Sequence, residues 1–207
     1  MHIPDGFLDL KTWAGLAVVS GVFLGLAIKK TNKKLGEKQV PLLGVTAAFI
    51  FAAQMLNFPV AGGTSGHFMG GLLAGILLGP FSGLLVMSTV LILQCLIFQD
   101  GGLTALGANI FNMGIIGGFF AYYLWVGLSK ILGRSAGIFV SAWVSIILAA
   151  SFCALELAIS GTVPLKIVLP AMAGIHTLIG LGEGIITVGV LSFVTKVRPD
   201  LLELEKV

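Results

Sequence analysis

The chain has 207 residues, of which 57% are hydrophobic and only 10% charged, with a mean hydropathy of +1.07. Soluble domains carry about 25% charged residues, so this composition excludes an ordinary soluble domain and implies a multi-pass membrane protein held in one bundle. The formal net charge of +3 does not require a nucleic-acid partner, because loop topology accounts for it.

A membrane-spanning helix needs about 20 mostly apolar residues. The first predicted span is 12–28, followed by a basic loop with Lys29, Lys30, Lys33, Lys34 and Lys38. The second is 41–58. A loop rich in small residues, Asn57 to Gly66, then leads into an apolar run from His67 to Phe98 that is too long for one ordinary span. Gly79-Pro80 divides that run, since Pro80 cannot donate a backbone hydrogen bond and biases Gly79 away from helix. Spans of 67–79 and 81–98 follow. The former is short, and short or Gly/Pro-interrupted segments often border binding sites. After the turn at Asp100-Gly101-Gly102 come spans 103–128, 136–159 and 167–195. The fold class expected is all-α and integral to the membrane, a single domain over 1–207 with seven transmembrane helices, or six if 67–79 is re-entrant.

Lys and Arg in the loops set the orientation. With the N-terminus outside, Lys29, Lys30, Lys33, Lys34, Lys38, Lys130, Arg134, Lys196, Arg198 and Lys206 gather on the cytoplasmic side, and Lys11 and Lys166 stay out. A multi-pass protein of the cell membrane with a cytoplasmic C-terminus is expected. No cleavable signal peptide is expected either, because the opening residues offer no basic stretch and no A-x-A site. Cys95 and Cys153 lie in apolar runs and read as small buried hydrophobes. Glycines at four-residue spacing (Gly21 and Gly25; Gly71, Gly75 and Gly79; Gly180 and Gly184) predict close helix approaches.

The chemistry sits at the first two residues. The α-amine of Met1, the deprotonated peptide nitrogen of His2 and the His2 Nδ1 can close two fused chelate rings in one plane. A fourth in-plane position stays open, and His67 is the other histidine placed on the outer side. Planar nitrogen coordination suits Ni(II) or Cu(II), whereas Zn(II) prefers a tetrahedron. Taken singly, His2 reads as a solvated terminal residue and His67 as a helix-start residue. Together, in a chain with three histidines, they favour a metal site.

The opening M-H-I-P-D-G, the segment from Val60 to Pro80 and the segment from Gln99 to Met113 resemble the CbiM/NikM family. This family comprises the nickel/cobalt substrate-binding membrane subunits (S components) of energy-coupling factor (ECF) transporters. The resemblance spans most of the chain. It implies a six-helix core with an extra N-terminal helix and a four-nitrogen site from Met1, His2 and His67. It also implies partners: a membrane coupling subunit, ATP-binding cassette ATPases and a small accessory membrane subunit. Ni(II) or Co(II) is then cargo, with no organic cofactor, and planar nitrogen donors tilt the choice to nickel. Because a metal-bound histidine usually donates its other ring N–H to an oxygen, Thr64, Ser65, Asn109, Asn112 and Gln94 are candidates to support the ligands.

Intramembrane ionisable groups are functional candidates by default. His176 and Glu183 are seven residues apart, about 20° from eclipsed on a helix, and read best as an interior polar pair. Glu156 reads as a helix-end residue. Gly63-Thr64-Ser65-Gly66 also matches the serine motif of rhomboid proteases, with His176 as a possible base. That reading leaves His2 and His67 unexplained, and the chain is expected not to be an enzyme. A stand-alone metal channel or secondary transporter is the other alternative. The chain has no P-loop, and tight planar binding conflicts with fast passive conduction.

Overall fold

The computed structural model describes residues 1–33, 39–60 and 64–201. Lys34, Lys38 and Lys206 of the topology argument lie outside the described residues. So do Gly63 and the side chains of Thr64 and Ser65.

Among the described residues, seven helices and one small hairpin follow in order. Helix α1 spans Leu10–Asn32 and α2 spans Gln39–Gln54. Strand β1 (Phe58–Val60) pairs antiparallel with β2 (Thr64–Gly66), Pro59 opposite Ser65. Helices α3 (Gly71–Leu78), α4 (Pro80–Phe98), α5 (Leu106–Leu132), α6 (Arg134–Ile159) and α7 (Leu165–Val197) complete the bundle. Five of the seven, α1 and α4 to α7, are long and apolar enough to cross a membrane. Helix α2 has 16 residues and α3 has 8, about 24 Å and 12 Å at helical rise, both short of a hydrocarbon core of about 30 Å.

The helix expected from residue 67 begins only at Gly71. Gly70 has φ +78°, a left-handed conformation open to glycine. The backbone N–H groups of Met69 and Gly70 both donate to the Glu183 carboxylate, at 2.8 and 2.7 Å. A side chain from α7 thus takes the donors of residues 69 and 70 just ahead of α3. The second predicted span is also shortened, because the chain leaves α2 at Gln54 and enters the hairpin.

The glycine spacings divide into two kinds. A Cβ on Gly71 would stand 2.5 Å from the Gly117 carbonyl oxygen, and one on Gly184 would stand 2.6 Å from the Phe139 ring. These are close helix contacts. Gly21 and Gly25 have nothing within 4 Å of a Cβ, so that pair on α1 faces outward rather than into the bundle.

Two helices carry widened π-type turns, Gln94–Phe98 at the end of α4 and Ile110–Phe120 within α5. The first ends at Gln99, a non-glycine residue with φ +54°, and Asp100 N–H donates back to the Gln94 carbonyl at 3.1 Å. This reversal brings Asp100, Gly101 and Gly102 over the core, beside the N-terminus.

Candidate metal centre

Residues 1–9 lie against the helix ends. Asn109 on α5 grips the Ile3 backbone from both sides: its Oδ1 accepts from Ile3 N–H at 2.8 Å and its Nδ2 donates to Ile3 C=O at 3.2 Å. Gly102 N–H donates to the same carbonyl at 2.8 Å. The Asp5 carboxylate accepts from the N–H groups of Leu103 and Thr104, at 3.0 and 2.7 Å, and from the Thr104 hydroxyl. Gly6 turns the chain with φ +81°, Thr162 donates its hydroxyl to Phe7 C=O, and Asp9 caps α1 by accepting from Thr12 N–H at 3.1 Å. This lashing drives the first three residues inward, where Met1, His2 and Ile3 are all buried.

The buried amine of Met1 stands 3.3 Å from Nε2 of His67, and the His2 and His67 rings lie 4.7 Å apart at 34°. The three predicted donor residues are therefore together although 65 positions separate the two histidines. Each ring has its outer nitrogen engaged. Nε2 of His2 donates to Gln94 Oε1 at 3.0 Å, and Nδ1 of His67 donates to the Phe68 carbonyl at 2.7 Å. An oxygen acceptor on one ring nitrogen fixes the proton there and leaves the lone pair on the other. The lone pairs of His2 Nδ1 and His67 Nε2 result. Nδ1 of His2 faces Asp100 Oδ1 at 3.4 Å.

Burial also strips these donors of protons. It lowers the Met1 amine from 8.0 to about 5, and it lowers His2 from 6.5 to about 3, helped by the positive charge of the amine. His67 is held well below 6.5 by burial, then by the amine and His2. Metal ligands must give up their protons to bind, and these groups are already neutral at neutral pH.

Of the supporting candidates, Gln94 reaches His2 and Asn109 holds the Ile3 peptide beside it. Asn112 instead donates to Glu156 Oε2 at 2.7 Å, and Glu156, in the last turn of α6, is buried. Thr64 and Ser65 lie on β2, their side chains outside the described set. His176 and Glu183 form no pair. Nδ1 of His176 donates to the Met172 carbonyl at 2.8 Å, while Glu183 is taken up by Met69 and Gly70. Sequence reasoning missed the Glu183 role and that of Gln54, whose amide donates to Met69 C=O at 2.6 Å. The signal available was a polar residue at the end of one apolar run, Gln54, and a lone carboxylate in the middle of another, Glu183. Among the described residues, no three His, Cys, Asp or Glu side chains alone gather closely enough to hold a metal.

Residues 2–201 match the CbiM family, described as the cobalt uptake substrate-specific transmembrane region. A protein of Archaeoglobus fulgidus, provisionally named as the fused nickel transport protein NikMN, is 49% identical over 98% of this chain and 68% of its own length. The fused nickel transport protein NikMN of Rhodobacter capsulatus is 33% identical over 98% of this chain and 64% of its own. A crystal structure described as a truncated transition metal transporter superposes with a TM-score of 0.88 at 34% identity, covering 95% of this chain and 99% of that one.

Proposed function

The chain belongs to the CbiM family of cobalt uptake substrate-specific transmembrane regions, and from that premise we propose that it captures Ni(II), or Co(II), on the outer face of the cell membrane for ATP-driven uptake. It is a metal transport protein of nickel/cobalt type and not an enzyme, which leaves no place for the Ser65/His176 protease. The proposed site is a plane of four nitrogens: the Met1 amine, the His2 peptide nitrogen, His2 Nδ1 and His67 Nε2. The observation that carries it is the 3.3 Å separation of the Met1 amine from His67 Nε2, with both groups buried. Two nitrogens in adjacent corners of a square plane with bonds near 2.0 Å stand about 2.8 Å apart, so a modest closure around the ion suffices.

The N-terminus lies outside and the C-terminus in the cytoplasm, supported by the Lys and Arg distribution. The chain forms one membrane domain in which α2, the hairpin and α3 stand where the span 41–58 and the short span 67–79 were expected. A membrane coupling subunit, ATP-binding cassette ATPases and a small accessory subunit would drive release. Nickel is favoured over cobalt because an anionic amide nitrogen in a plane suits low-spin Ni(II). X-ray absorption on the untagged, nickel-loaded protein tests the site: four nitrogens in a plane are expected, and a sulfur-bearing or tetrahedral shell would overturn it.

A further inference from the structure

The His67 ring and the Glu183 carboxylate are bonded to opposite ends of one peptide unit. His67 Nδ1 donates to the Phe68 carbonyl at 2.7 Å. The N–H across that same peptide bond belongs to Met69, and it donates to Glu183 Oε2 at 2.8 Å. A trans peptide is flat and points its C=O and N–H in opposite directions. The ring and the carboxylate therefore stand on either side of a rigid plate and are joined through it.

The next peptide unit is held in the same way. Gly70 N–H donates to Glu183 Oε1 at 2.7 Å, and the Met69 carbonyl accepts from Gln54 Nε2 at 2.6 Å. Each oxygen of Glu183 thus takes one N–H, and the turn is gripped from α7 on one side and α2 on the other. Gln54, Met69 and Glu183 are all buried. A Cβ on Gly70 would stand 2.8 Å from Ile50 Cγ1, and one on Gly117 would overlap the Met69 sulfur. The segment after His67 has little room to shift, so the place of the ring follows from the place of the carboxylate.

Hydrogen bonds in a chain polarise one another in a low-dielectric interior. The carboxylate draws on the Met69 N–H, and peptide resonance moves negative charge onto the Phe68 oxygen. That oxygen then holds Nδ1–H more firmly and raises the electron density at Nε2, the nitrogen that faces the Met1 amine. Metal-bound histidines are often tuned by an oxygen acceptor placed directly on the second ring nitrogen; here one peptide unit lies between the ring and the carboxylate.

We infer that Glu183 is a positioning residue for metal binding: through the Phe68–Met69 peptide it fixes the His67 ring and strengthens Nε2 as a donor to a divalent transition-metal ion. The inference rests on the four-nitrogen reading.

The experiment is titration of untagged protein with Ni(II), followed through the planar d–d band. Glu183→Gln keeps the size of the side chain and one acceptor oxygen but removes the charge. It is expected to weaken nickel binding about tenfold and to move the band to lower energy, because a weaker nitrogen donor splits the d orbitals less. A double-mutant cycle with His67→Ala separates a route through the ring from general loosening. With added imidazole filling the empty corner of the plane, Glu183→Gln should then change neither affinity nor band. Wild-type affinity and band in Glu183→Gln would overturn the inference. An equal loss in the His67→Ala background would also overturn it, by making Glu183 a general support of the fold. A wild-type protein without a planar band, or one whose affinity survives His67→Ala, defeats the four-nitrogen reading itself, and the two failures are thereby distinguished.

Discussion

At the scale of single residues, burial gives the Met1 amine the unprotonated state that the proposed metal site requires. A free amine with a pKa near 8.0 is mostly protonated at neutral pH, whereas inside the fold the value is about 5. The unfolded chain then binds more protons than the folded one between those values, so stability is lost as pH falls from about 8 through about 5. His2, lowered to about 3, extends the loss further into acid. Thermal unfolding of metal-free, untagged protein should show the midpoint dropping steadily over that window; a flat profile would contradict a buried amine. Acetylating Met1, or leaving a tag ahead of it, removes the donor and the vacancy it needs. Isothermal titration should then record loss of high-affinity nickel binding. His67→Ala opens one corner of the plane, for which an affinity loss of at least a hundredfold and a shifted d–d band are expected, the scale set by ligand-shell changes.

At the scale of elements, positions far from any donor hold the donors in place. Gly102 packs against the N-terminal segment so closely that a Cβ would stand 2.2 Å from the Asp5 nitrogen. Gly102→Ala must therefore displace residues 3–5, and titration should show weakened metal binding although no ligand has changed. Glu183→Ala frees the N–H groups of Met69 and Gly70, two and three residues beyond His67, leaving buried donors unpaired at a cost of about 1–3 kcal/mol each. Hydrogen exchange at residues 67–71 should rise, with a smaller rise in Glu183→Gln, which keeps one acceptor. The apolar runs made α1 and α4 to α7 legible in the sequence, because a spanning helix is recorded in uninterrupted hydropathy. The start of α3 was not legible: the run from His67 is apolar throughout, and the Glu183 carboxylate that ends helix formation there comes from 113 residues away. The proximity of the proposed donors was legible for a related reason. Met1-His2 is a chelate by covalent adjacency alone, and topology placed His67 beside it. Its supports were partly hidden, since whether Asn112 faces the site or Glu156 depends on packing that spacing does not encode.

At the scale of the whole molecule, the proposed division of labour separates capture from energy. Vesicles carrying the chain alone should bind nickel without accumulating it. Adding a coupling subunit and ATP-hydrolysing partners should produce uptake that stops when ATP is withheld, and accumulation by the chain alone would point instead to a secondary transporter. Gly21 and Gly25 leave a smooth outward stripe on α1, while the Gly71 and Gly184 contacts are spent inside the bundle. The burial of Met1 bears on how the protein is made. Met1 packs in one core with Cys153 of α6 and with Val168 and Met172 of α7. Met1 therefore acquires these neighbours only after α7 has entered the bilayer. A chain stalled or clipped before α7 would carry Met1, His2 and His67 and still have no closed site. If the proposed site is correct, metal loading reports that α7 has inserted.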